Sequence, residues 1–206
     1  MSCSSQKMEN CEGMSSIIQQ LVSKKLIEFH HLDNFCSGVE AMDKFIQNDF
    51  RLSVENHYCS AYGVWLGEEL VAIYALSFDS LDLDYDDKTE LQAGISATGI
   101  PRLDMNYEGT FYAKPRYPAL DIAYLAVKEN YRGRGIGTAI VEQIAEDARL
   151  QSFAGCQFLT VEALATKEYS AIGFYDRCGF SANELRKPYK DTIRMFRTLY
   201  EKDLSD

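Results

Sequence analysis

The segment Tyr131-Arg132-Gly133-Arg134-Gly135-Ile136-Gly137-Thr138 holds the residue types and spacing best suited to chemistry. An apolar run, Ala119 to Val127, precedes it and reads as a buried strand. A stretch with helical periodicity follows it, so the glycines sit where a strand hands over to a helix. The first amides of a helix have no acceptor inside it, and the aligned peptide dipoles put partial positive charge at that end. Such an end binds phosphate. Glycines let the backbone approach an anion closely, and Arg132 and Arg134 add mobile positive charge. These features predict a diphosphate site formed by Arg132, Gly133, Arg134, Gly135, Ile136, Gly137 and Thr138. The Walker pattern is excluded, because no Gly-Lys-Ser/Thr is present. The dinucleotide pattern fits poorly: Thr138 stands where its third glycine belongs, and no acidic ribose-binding residue is evident about 20 residues on. Arg132-x-x-Gly135-x-Gly137 is a different pattern.

Other reactive side chains read as structural. Cys3, Cys11, Cys36, Cys59, Cys156 and Cys178 are scattered without a C-x-x-C pair, which suits free thiols in a reducing compartment. Cys178 reads as a small buried apolar group. His30, His31 and His57 have no acidic or histidine partner at metal-ligand spacing, so no metal is expected. The Asp82, Asp84, Asp86 alternation lacks the glycine and glutamate of a calcium loop and reads as a solvated acidic loop.

The elements that must position the glycine-rich turn can be read from periodicity. Residues 1–13 read as a flexible tail and residues 14–206 as a single domain. Ser15 to Leu26 reads as a short helix and Leu26 to Phe29 as a strand. Ser37-Gly38-Val39-Glu40 fits a capping box, followed by a helix with Val39, Met42, Phe45 and Ile46 on one stripe, ending near Asp49. Ala61–Leu66 and Leu70–Phe78 read as a hairpin around Gly67-Glu68-Glu69. From Asp79 to Pro118 the pattern breaks into an acidic, Gly- and Pro-containing stretch, with a short helix expected around Lys88 to Ala93. Ala119–Val127, a helix Gly137–Leu150, a strand Phe158–Glu162, a helix Lys167–Asp176 stopped by Gly179, and strands near Phe180 and over Thr192–Leu199 complete a mixed α/β order.

The chain has 206 residues and a net charge of −10. Hydrophobic residues make up 46% and charged residues 25%, enough to fold around a sizeable core. The negative field disfavours general binding to nucleic acid, although a local basic patch remains open. The longest apolar run, Leu70 to Leu76, falls far short of the roughly 20 residues of a membrane span, and Met1 to Gly13 has no apolar signal core. A soluble, cytoplasmic protein with no membrane partner is expected.

In its full context, from Leu125-Ala126-Val127 through Arg132-Gly133-Arg134-Gly135-Ile136-Gly137 into a helix, the segment resembles the acetyl-CoA motif Gln/Arg-x-x-Gly-x-Gly/Ala of the GNAT superfamily of N-acetyltransferases. Ala171-Ile172-Gly173-Phe174-Tyr175-Asp176-Arg177-Cys178-Gly179-Phe180 resembles that family's A-x-x-F-Y-x-x-x-G-F segment. The resemblance covers roughly Glu28 to Thr198. The Tyr117-Pro118 strand entry and the Phe35-to-Phe45 region look closest to toxin-type members that modify aminoacyl-tRNA. The resemblance implies a mixed, mostly antiparallel sheet with helices on both faces and a splayed central cleft. It implies that Leu125, Ala126 and Val127 offer backbone groups to a pantetheine arm, and that Arg132 to Thr138 hold the diphosphate of acetyl-CoA, the co-substrate. It places Tyr175 as the general acid that protonates the thiolate, and Asp121 where some members carry a carboxylate base acting through water. The amide of Val127 would face the developing oxyanion.

Three readings follow. The first is acetyl transfer from acetyl-CoA to a primary amine by direct attack on the thioester, with no metal and an unidentified amine acceptor. The second is a toxin-like enzyme acting on aminoacyl-tRNA. Net charge opposes this, but the run Arg177 to Arg197 supports it, with Arg177, Arg186, Lys187, Lys190, Arg194 and Arg197 against Glu184 and Asp191. The third is a non-catalytic acyl-CoA-binding module. The sequence leaves a homodimer open.

Overall fold

In the computed structural model, the described residues are 17–93, 108–183 and 191–199. The expected tail over residues 1–13 lies outside them. The strands are β1 (Leu21–Lys25), β2 (Ser60–Leu66), β3 (Glu69–Leu81), β4 (Tyr117–Val127), β5 (Phe158–Leu164), β6 (Ser181–Ala182) and β7 (Thr192–Thr198). The helices are α1 (Glu40–Asn48), α2 (Phe50–Glu55), α3 (Tyr85–Ala93), α4 (Glu108–Ala113), α5 (Ile136–Leu150) and α6 (Ile172–Arg177), with 3₁₀ turns at His30–Leu32 and Glu129–Tyr131. The strands form one seven-stranded sheet in the order β1-β2-β3-β4-β5-β7-β6. Within it β1–β2, β2–β3, β5–β7 and β6–β7 pair antiparallel, and β4–β5 pair parallel. The expected mixed, mostly antiparallel α/β architecture is therefore what the chain adopts.

The chain forms two compact units, Met1–Leu76 with Ala123–Val141, and Ser77–Ile122 with Glu142–Asp206. In the first unit, Leu70 to Ala75 of β3 is buried at every position. A strand covered on both faces reads as an unbroken apolar run rather than an alternation. Gly67 has φ +61°, which suits the tight turn that joins β2 to β3. The apolar stripe of α1 packs Ile46 into a core with Leu26, Leu32, Phe35, Phe50, Ala61, Ile73 and Ala126, and Met42 and Phe45 line its side. The Phe45 ring stacks on Tyr124 of β4 at 4.0 Å and 18°. Burying a ring such as Phe50, which is 0% exposed, contributes roughly 2–3 kcal/mol.

In the second unit, Leu81, Leu83, Leu91, Phe111, Tyr117, Ala119, Phe158 and Phe196 form the core. The buried Tyr117 hydroxyl donates to the Phe111 carbonyl at 2.6 Å, so its polar end is satisfied. The helix expected around Lys88 to Ala93 starts earlier, at Tyr85. Asp84 accepts from the Asp87 amide at 2.7 Å and so satisfies a first-turn donor.

Several expectations are corrected. Residues 17–19 form a helical turn, but the helix expected to run to Leu26 gives way to strand β1, which pairs Leu21↔Leu66 through Lys25↔Tyr62. The strand expected at Leu26–Phe29 is therefore displaced five residues toward the N-terminus. Leu26 only continues the edge through its amide, which donates to the Ala61 carbonyl at 2.8 Å. The capping box is replaced by a related device. Val39 occupies the N-cap with no side-chain cap, Asp43 accepts from the Ser37 amide and hydroxyl at 2.7 Å each, and Glu40 pairs with Lys44 instead. The helix expected over Lys167–Asp176 begins at Ile172, because Thr166 and Tyr169 close a turn and Ala165 bridges Ser170. Gly179, at φ +81°, does end it.

Candidate active site

The glycine-rich turn lies wholly in the first unit, where five fixed points hold its approach. The Lys128 amide donates to Val71 at 2.8 Å and the Glu129 amide to Cys36 at 2.9 Å. The Lys128 ammonium and the Tyr131 hydroxyl both reach Glu69, at 2.6 and 2.7 Å. Arg132 Nη1 donates to the Ser37 carbonyl at 3.2 Å. The bonds from Lys128 and Tyr131 hold the Glu69 carboxyl below its usual range, and the bond to Glu69 pushes the Tyr131 phenol up. Arg134 lies over the Tyr131 ring at 5.1 Å and donates to the Asn130 carbonyl at 2.8 Å.

Gly133 and Gly135 take φ of +73° and +77°. A side chain at either position would be strained, so the turn needs glycine there. A Cβ at Gly133 would meet nothing within 4 Å, so this backbone faces open space. The first helical bond of α5 runs from the Ala139 amide to the Gly135 carbonyl at 3.0 Å. The amides of Ile136 and Gly137 precede it and have no acceptor within the helix. No acidic residue occupies the first turn of α5. Arg132, Gly133, Arg134 and Thr138 are exposed, whereas Ile136 is 1% exposed and anchors the helix start. Leu125, Ala126 and Val127 end β4, with Ala126 turned into the core. The residues present thus fit a diphosphate: backbone donors, low bulk and guanidinium groups at one helix end.

Tyr175 and Asp121 belong to the second unit. Tyr175 lies on α6, is 6% exposed, and packs edge-on against Phe174 and Phe180. Burial, with the nearby Cys178, Tyr169 and Asp121, pushes its phenol far above the usual tyrosine range. That shift favours the neutral, protonated phenol. Cys178 is 3% exposed, in keeping with a packing role.

Asp121 sits in a polar network that the sequence did not disclose. Its Oδ1 accepts from Thr160 Oγ1 at 3.1 Å and from Arg194 Nη1 at 3.2 Å. Thr160 Oγ1 also lies 2.7 Å from Asp79 Oδ2, so its one proton is shared between the two carboxylates. Arg194, 5% exposed, pairs with Asp79 and with Glu162 as well. Four strands contribute one face: Asp79 from β3, Asp121 from β4, Thr160 and Glu162 from β5, Arg194 from β7. Register explains the juxtaposition, since Asp121 lies opposite Thr160 and Glu162 opposite Arg194. Asp79 is thus a strand residue tied into an ionic cluster, not part of a solvated acidic loop. Arg194 is not a surface cation. Alternation in β7 was the available signal, because Arg194 shares a face with the buried Phe196 and Thr198. Arg197 pairs bidentately with Glu142 at 2.6 and 2.9 Å, while Arg186, Lys187 and Lys190 lie outside the described residues.

Two of the histidines have an acidic neighbour in space that their sequence spacing does not show. Glu28, His30 and His31 each place a ligand-type atom within 4.8 Å of the others.

The model described as the acetyltransferase (GNAT) family matches residues 26–180. The chain belongs to that family of acetyltransferases. Solved structures of toxin-type members share its fold. The crystal structure of a bacterial toxin aligns at 19% identity over 87% of this chain and 90% of its own, with a TM-score of 0.62. AtaT complexed with acetyl-methionyl-tRNAfMet aligns at 19% identity over 84% and 93%, with a TM-score of 0.59. AtaTR bound with acetyl-CoA aligns at 17% identity over 88% and 95%, with a TM-score of 0.58. Comparison with curated proteins finds no match. Among the described residues, no helix is long and apolar enough to cross a membrane.

Proposed function

We propose that this acetyltransferase moves the acetyl group of acetyl-CoA to a primary amine by direct attack of the amine on the thioester. The observation that carries the reading is the turn at Arg132–Thr138, where two glycines at positive φ expose the start of a helix beside two arginines. In this reading the turn binds the diphosphate, Leu125 to Val127 hold the pantetheine arm by backbone bonds, and the Val127 amide faces the developing oxyanion. Tyr175 supplies the proton to the departing thiolate; burial keeps the phenol protonated but makes it a weaker acid. Asp121 takes the proton of the amine through water. Proton uptake there loosens its bonds to Arg194 and Thr160, so the network sets how readily Asp121 acts.

The test is Thr138→Glu combined with Arg134→Glu. Both residues are exposed, and a carboxylate in the first turn of a helix favours the helix while repelling a diphosphate. Acetyl-CoA binding by calorimetry is expected to disappear with the circular dichroism unchanged. A variant that binds normally sinks the reading.

A second reading has the amine carried on aminoacyl-tRNA. The fold shared with AtaT, whose structure holds acetyl-methionyl-tRNAfMet, favours it. The net charge of −10 and the burial of Arg194 oppose it. Growth arrest on expression, abolished by Tyr175→Phe, is the outcome it requires. A panel of small amines accepted without growth arrest supports the first reading. Binding of acetyl-CoA without turnover on either class of acceptor would leave the chain an acyl-CoA-binding module.

A further inference from the structure

We propose that Glu28, His30 and His31 form a surface site for a borderline divalent metal ion, Zn²⁺ above all, independent of the acetyl-transfer residues. The carboxylate and two imidazoles each offer a ligand atom within 4.8 Å of the others, and His30 Nδ1 already stands 3.4 Å from Glu28 Oε2. Tetrahedral Zn²⁺ with bonds of about 2.0–2.2 Å needs ligand atoms roughly 3.3 Å apart. Small rotations of these exposed side chains close the remaining gap.

The backbone beneath them is pinned on both sides, which lowers the ordering cost of binding. The Leu26 amide is bonded to Ala61, the Leu32 amide to Phe29 and the Phe35 amide to Leu32. Leu32 and Phe35 are buried, and the Phe29 ring packs edge-on against Phe50. The 3₁₀ turn at His30–Leu32 therefore stands on a fixed base with its imidazoles outward. Those rings lie 3.9 Å apart, centroid to centroid, and His31 sits edge-on at 4.7 Å against Trp65 of β2. Two imidazoles and one carboxylate select Zn²⁺, Ni²⁺ or Cu²⁺ over Ca²⁺ and Mg²⁺, which prefer all-oxygen shells. Water completes the coordination. The ion would clamp the segment that joins β1 to α1, and so stabilise the first unit by mass action.

Trp65 is the only tryptophan, and it touches a proposed ligand, so the site reports on itself. Ni²⁺ titrated into the full chain is expected to quench Trp65 fluorescence with saturation below about 0.1 mM free ion, and calorimetry with Zn²⁺ to give one site per chain. Glu28→Gln and His30→Gln change side chains that are 73% and 61% exposed, so both variants should fold. Each should weaken quenching at least tenfold, on the order of the loss seen when a metal's supporting shell is removed. Each should also remove the rise in Tm that Zn²⁺ causes, with acetyl-CoA binding unchanged. Absence of quenching up to millimolar Ni²⁺ overturns the proposal. So does quenching that both variants retain, which would place the ion at thiols or elsewhere.

Discussion

Tyr175 and Arg194 show what burial does to single residues. A phenol that stays protonated well above its usual range is a reserve of one proton, useful only if the leaving group is more basic at the moment of need. Tyr175→Phe is expected to lower kcat by about 10²–10⁴ with KM little changed, as measured by steady-state acetyl-CoA consumption. Because the shift is upward, ionisation of Tyr175 should produce no alkaline fall in kcat up to pH of about 10. A fall below that pH that vanishes in Tyr175→Phe would contradict the assignment. Arg194 pairs with Asp79, Asp121 and Glu162. Removing it takes a buried cation away from three carboxylates, and a broken buried pair costs about 3–5 kcal/mol. Arg194→Met should therefore lower the unfolding free energy measured in urea sharply, whereas Arg51→Met, at an exposed helix pair, should change it by no more than about 0.5 kcal/mol.

At the level of elements, the start of α1 and the turn before α5 are bound to each other. Gly38 has φ +72°, and a Cβ built on it would lie 2.9 Å from Glu129 Cδ. The Ser37 and Cys36 carbonyls receive Arg132 and the Glu129 amide. Gly38→Ala should destabilise by about 1–2 kcal/mol, and adding Glu129→Ala should recover only the part due to contact, leaving the backbone strain. Asp43 fastens the same corner. Burial raises its pKa, but the bonds from Ser37, with those from Cys36 and the Gly38 backbone, together outweigh that and hold the carboxyl below its usual range. A depressed folded-state pKa contributes stability above the ordinary carboxylate value of about 4, and that contribution is lost as pH falls through the folded value. The gap in urea midpoint between wild type and Asp43→Asn should be steady above pH of about 5 and shrink below about 4.

For the whole molecule, the charge of −10 makes a long-range field that ordinary salt screens beyond about 8–10 Å. A cationic amine should be drawn to it. The kcat/KM for such an acceptor should therefore fall as ionic strength rises, while that for an uncharged amine stays flat. Equal salt dependence for both would remove electrostatic steering from the account.

Local chemistry was legible and distant pairing was not. The Arg132–Thr138 turn, the stripe of α1, the β2–β3 hairpin and the stop at Gly179 are written in neighbouring residues, because helix periods, turn residues and helix-end donors act over a few positions. The same holds for the family resemblance, which rests on two contiguous segments. Strand β1 is not legible in its own residues, because an edge strand with four exposed residues has no periodic signature; its identity comes from β2, more than thirty residues away. The Asp121 network depends on Asp79 and Arg194, which stand 115 positions apart in the chain. The Glu28, His30 and His31 cluster depends on a 3₁₀ turn that folds three near neighbours onto one another. The amino-acid order determined the glycine-rich turn at Arg132–Thr138 and the place of Tyr175 ahead of the stop at Gly179. Only the sheet register decided which charges neutralise one another, because that choice is made by hydrogen bonds between strands rather than along them.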